Sequence, residues 1–136
     1  MEGQIQKHHD GDDIQKLFIG WDIENWKEKL ETIAEEITLF SNLLSAYANA
    51  KEGNNHGNLL AKMKTLQEQN KGFHQNLIAY NLKLEGMKEC EDLQCETYFL
   101  NGHAQFKESI ENFFSQYRKT KKSLFAKLNS SIKKQA

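Results

Sequence analysis

An all-α fold, an elongated antiparallel three-helix bundle with coiled-coil-like heptad packing, is predicted by three features of this chain. Apolar residues recur in steps of three and four along three long stretches, no proline occurs in 136 residues, and the densest turn signal falls between the first two stretches. Steps of three and four place side chains on one stripe of a helix. An internal proline would remove a backbone bond and clash with the preceding turn. At this length the chain is one domain, large enough to bury its own core.

Residues 1–12 read as a disordered acidic, His-containing tail, with His8, His9, Asp10, Gly11 and Asp12 in a row. The bundle domain is assigned to 13–136, with helices at about 14–50, 58–88 and 93–133. Ile14, Leu17, Phe18 and Trp21 form a small apolar face of their own, out of phase with the seam C-terminal to it. Gly20 sits at the phase change and Asp22 is a candidate N-cap, so a kink or a separate short helix is expected there. The first seam then runs Ile23, Trp26, Leu30, Ile33, Ile37, Phe40, Leu44, Tyr47.

Lys51 to Gly57 holds two glycines and two asparagines and marks the first loop. The second seam is Leu59, Met63, Leu66, Asn70, Phe73, Leu77, Tyr80, Leu84, Met87. Beyond Met87 its phase reaches Glu91 and Gln94, so the second turn is placed within 88–102, toward the earlier part. The third seam is Phe99, His103, Phe106, Ile110, Phe113, Tyr117, Thr120, Leu124. Leu39, Leu43, Ile78, Leu82, Leu100 and Phe114 flank these seams, which predicts stripes broad enough for each helix to touch two neighbours.

Charge is unevenly laid out although 18 basic residues nearly balance 19 acidic ones. From Asp10 to Glu36 nine acidic residues face three lysines, and Glu85, Glu89, Glu91, Asp92 and Glu96 gather near the second turn. From Asn112 onward no acidic residue occurs, whereas Arg118, Lys119, Lys121, Lys122, Lys127, Lys133 and Lys134 form a basic patch. Helix dipoles favour acids at N-termini and lysines at C-termini, which accounts for part of this layout. Opposite charge at the two ends also suits self-association. The near-neutral total argues against a nucleic-acid partner, and a single arginine leaves little bidentate phosphate recognition.

Enzymatic readings fail at the residues they need. No Glu-x-x-His pair serves a carboxylate-bridged metal pair: Lys71 precedes His74 by three and Leu100 precedes His103. The glycines form no phosphate-cradling loop. His103 and Asn70 sit at seam positions, where polar residues commonly set register. Cys90, Cys95 and His103 are metal candidates only if the second turn falls between the cysteines, since five residues of helix would separate them by about 140°. The favoured reading over a metal site is surface thiols beside a solvated tail. Two cysteines are too few for a disulfide scaffold and are compatible with a reducing compartment.

The segment Phe73-His74-Gln75-Asn76-Leu77, with Phe106, Tyr117 and the run Phe125-Ala126-Lys127-Leu128, resembles small uncharacterised bacterial proteins made of three long helices. The resemblance covers about the last half of the chain. It implies the three-helix fold and carries no activity, cofactor or site.

The expectation is therefore a non-enzymatic, cytoplasmic bundle without a cofactor, acting on a protein partner or on itself as a homodimer. No secretory signal and no apolar stretch of membrane-spanning length is visible. The face Ile14, Leu17, Phe18 and Trp21 either folds back to cap the core or stays exposed as the partner-binding surface. A metal- or redox-responsive bundle using Cys90, Cys95 and His103 is the alternative reading, and anion binding by the basic C-terminal helix is the second.

Overall fold

The computed structural model describes the backbone of residues 2–50 and 57–135, and the side chains of 15–46 and 57–130. Three helices account for nearly all of it: α1 (Glu2–Ala50), α2 (Gly57–Leu84) and α3 (Leu93–Gln135), with a 3₁₀ segment (Glu85–Glu89) closing α2. The first loop, expected over Lys51–Gly57, lies almost wholly outside the described residues. No strand occurs among the described residues.

Contacts between α1 and α3 climb together along both helices. Asp22 meets His103, Trp26 meets Phe106, Glu36 meets Tyr117, and Phe40 meets Phe125. Contacts with α2 run the opposite way, with Tyr80 against His103 and Phe73 against Phe113. Helices α1 and α3 are thus parallel and α2 is antiparallel to both.

Burial follows the seams. On α1 the buried set is Ile19, Ile23, Trp26, Leu30, Ile33, Ile37, Phe40 and Leu44. Leu30, Ile37, Leu44, Met63, Ile110 and Leu124 are the largest fully buried side chains, drawn from all three helices. Around the middle of the bundle, Phe73, Tyr80, Phe106 and Phe113 form a chain of ring contacts at 4.8–6.5 Å between centroids.

Four expectations are corrected. First, α1 starts at Glu2, so residues assigned to a disordered tail continue the helix. Second, α1 passes through Gly20 unbroken, and Asp22 is an interior residue rather than an N-cap. Glycine is unfavourable in a helix by about 1 kcal/mol relative to alanine, too little to break one this long. Third, the flanking residues Leu39, Leu43, Ile78 and Leu82 are exposed, whereas on α3 Phe114 is buried and Leu100 half-buried. The stripe is broad on α3 and narrow on α1 and α2.

The fourth concerns the second turn. It begins before 88, with the 3₁₀ segment at 85–89 and a link through Cys90–Asp92. Met87 stays buried, because the 3₁₀ winding carries it back onto the core. Asp92 accepts a hydrogen bond on Oδ1 from the Cys95 backbone N–H at 2.8 Å, an N-cap contact that starts α3. At Gly86 a Cβ would stand 3.3 Å from the Phe99 ring, so glycine lets the turn lie close on α3.

Candidate functional site: a polar relay and an apolar face at the disulfide end

At the second turn Cys90 and Cys95 are joined in a disulfide, with their Cα atoms 5.5 Å apart. The condition set by the sequence, a turn falling between them, is met, but the result is a covalent clip and not a pair of thiols. The surface-thiol reading is overturned. So is their use as metal ligands in this state, since a disulfide offers no thiolate. His103 lies eight residues further along α3, about 12 Å at helical rise. No group of three metal-ligating side chains occurs among the described residues.

His103 is instead held by neighbours on the other two helices. Its Nε2 lies 2.8 Å from Asp22 Oδ2 on α1, and its Nδ1 lies 2.6 Å from the Tyr80 hydroxyl on α2. The Asp22 carboxylate only accepts, so Nε2 carries the proton and donates to it. In the tautomer with that proton alone on the ring, Nδ1 accepts from the Tyr80 O–H. The order is tyrosine to histidine to aspartate, running across the bundle. Trp26 stacks on the imidazole at 5.1 Å and Tyr80 at 5.8 Å. Burial, with the Asp22 charge adding to it, holds the Tyr80 phenol well above its ordinary range.

Further polar contacts tie the helices at two other levels. Asn70 Nδ2 donates to the Leu30 carbonyl at 3.0 Å, while its Oδ1 is buried without a partner. Tyr117 donates to Glu36 Oε1 at 2.8 Å, and Lys121 Nζ bonds Glu36 Oε2 at 2.6 Å. Burial first, then the hydrogen bond and charge of Glu36, raise the Tyr117 phenol as well.

The basic residues divide. Lys121 is engaged with Glu36 and lies over the Tyr117 and Phe125 rings at 5.9 Å each. Arg118, Lys119, Lys122 and Lys127 are exposed. The side chains of Lys133 and Lys134 lie outside the described residues.

The N-terminal apolar face stays on the outside. Leu17, Phe18 and Trp21 are each more than half exposed, with Phe18 and Trp21 in edge contact at 5.3 Å. The Ile14 side chain lies outside the described residues. Ile78 and Leu82 on α2, and Leu93 and Tyr98 on α3, are exposed at the same end. Seven of the ten exposed large apolar side chains among the described residues therefore belong to the disulfide end of the bundle.

Sequence reasoning finds His103 and Asn70 and misses their partners. Asp22 reads as a cap because its neighbours change phase. The signal that identifies it is register: counted from the turns, Asp22, Tyr80 and His103 stand at one level of an up-down-up bundle.

No family model matches the chain, and comparison with curated proteins and with solved structures returns no match. Of the resemblance to small three-helix proteins, the helical fold is what the described residues support. No helix among the described residues is long and apolar enough to cross a membrane.

Proposed function

We propose that this chain is a non-enzymatic helical-bundle protein that works by protein–protein contact, with a second copy of itself as the expected partner. The observation that carries the reading is the exposed face Leu17, Phe18 and Trp21, set in a wider gathering of apolar side chains at the disulfide end. Large apolar residues clustered on a surface mark interfaces, and tryptophan is prominent among residues that dominate binding. The relay supports the reading indirectly. Both ring nitrogens of His103 are committed to Tyr80 and Asp22, which suits a fixed core better than proton transfer to a substrate. Light scattering across a concentration series tests it: association that Trp21→Ser and Phe18→Ser weaken supports the interface, and a monomer at every concentration removes it.

A second reading, a redox-responsive bundle, is favoured by the Cys90–Cys95 disulfide. In it the clip opens and closes with the surrounding thiol potential, and a cytoplasmic location is compatible only with such cycling. Thiol labelling of chain recovered under native conditions tests it, with a mixture of reduced and oxidised forms as the expected result. Anion binding loses ground, because Lys121 is already committed to Glu36.

A further inference from the structure

Grooves run between the helices, and one differs from the rest in chemistry. It lies between α2 and α3, beside the disulfide turn, and encloses about 480 Å³. That volume falls in the range of small-molecule sites. Its walls are aromatic: Tyr80, Tyr98, Phe99 and Phe106. Tyr80 and Phe106 are stacked at 4.8 Å, which leaves Tyr98 and Phe99, in edge contact at 5.4 Å, as the more open pair.

Lys83 stands at the rim with its ammonium 5.1 Å from the centre of the Tyr98 ring. It pairs with no carboxylate among the described residues. An aromatic wall therefore carries one cation with no anion opposite it. Gln105 adds an amide to the lining.

Gly102 bears on the same groove. It is interior to α3, has no positive φ, and a Cβ built on it would meet nothing within 4 Å. Glycine in a helix interior is unfavourable by about 1 kcal/mol relative to alanine. Neither backbone geometry nor packing requires it here, and its effect is to keep the groove open. Gly20 is similarly open, but its groove between α1 and α2 is about 230 Å³ and sets Glu85 beside Lys16 and Lys88. Its lining mixes two lysines with one glutamate, and no aromatic ring lines it.

We propose that the groove over Tyr98, Phe99 and Gly102 binds a small planar aromatic carboxylate, its ring against the aromatic wall and its anion on Lys83. Ring stacking supplies affinity, and the charge-assisted bond to Lys83 selects an acid over its neutral analogue. The groove lies apart from the proposed association face Leu17, Phe18 and Trp21 on α1, although Tyr98 also belongs to the wider apolar gathering at this end.

The test titrates the isotopically labelled full chain with 2-naphthoate and, separately, with neutral 2-naphthylmethanol, following amide shifts. The expected result is saturable shifts confined to the groove, with the acid binding roughly tenfold more tightly than the alcohol, the margin of one charge-assisted bond. Lys83→Gln should erase that margin. Gly102→Leu should abolish binding of both probes, and Tyr98→Ala, at an exposed position, should weaken both if the leucine variant does not fold. Trp21→Ser should leave naphthoate binding intact, which separates this site from the association surface. Absent or scattered shifts, equal affinity for the two probes, or insensitivity to Lys83→Gln would overturn the proposal.

Discussion

His103 is the residue on which the three helices meet, and its two hydrogen bonds reach different helices. A buried polar group left without its partner costs more than a typical bond contributes. Tyr80→Phe removes the O–H that satisfies Nδ1, and urea unfolding should report a loss of about 1–2 kcal/mol. Combined with Asp22→Asn, the losses should be non-additive by more than about 0.5 kcal/mol, because both act through one imidazole. Asn70 is the opposite case: its Oδ1 is buried and unpartnered, while the Leu30 carbonyl it bonds lies within a continuous helix. Asn70→Leu should leave stability unchanged or raise it, as measured by thermal unfolding. The tyrosines give a pH dependence. Both Tyr80 and Tyr117 are raised in the folded state, so the unfolded chain loses those protons first as pH rises. The stability tied to these phenols is complete below about pH 10, the ordinary phenol value, and is lost as pH climbs through the folded values. Tyrosinate absorbance and helix signal followed together should show Tyr80 and Tyr117 ionising only as the helices melt.

Among the elements, the turn between α2 and α3 is where most of the local structure is concentrated. Gly86 admits the Phe99 ring, Asp92 caps α3, and the disulfide closes a short loop across the junction. A link over so few residues restricts the unfolded chain by about 2 kcal/mol in the chain-entropy account. Reduction by a dithiol should lower stability by about that amount without loss of helix signal, since the Asp92 cap does not depend on it. The helices themselves are legible in the sequence, because seam periodicity is a property of the backbone: the seam residues from Ile23 to Leu44 are all buried as the spacing requires. Three features are not legible there. Local phase and glycine content suggest a break at Gly20, but neighbouring helical hydrogen bonds outweigh one glycine. Leu39, Leu43, Ile78 and Leu82 read as core, yet periodicity cannot show which flank of a seam a neighbour covers. The cysteine pairing depends on where the turn falls to within a few residues, which is the resolution at which sequence patterns fail.

At the scale of the whole molecule, parallel α1 and α3 put α1 around Lys16 to Ile23 beside the second turn, and the basic stretch of α3 around Lys121 beside Glu36 and Phe40. The apolar face at Leu17, Phe18 and Trp21 belongs to the acidic, disulfide-bearing end. Association that uses this face should be driven by apolar burial, and so should survive high salt. Association through oppositely charged ends would weaken instead. The decisive comparison is light scattering on the wild-type chain and on Trp21→Ser, over a concentration series at low and high salt. An apolar interface at Trp21 requires a wild-type dimer or larger assembly that persists in salt, and a Trp21→Ser variant shifted toward monomer with unchanged helix content. Wild-type and variant behaving identically, as monomers or as the same assembly, would refute it.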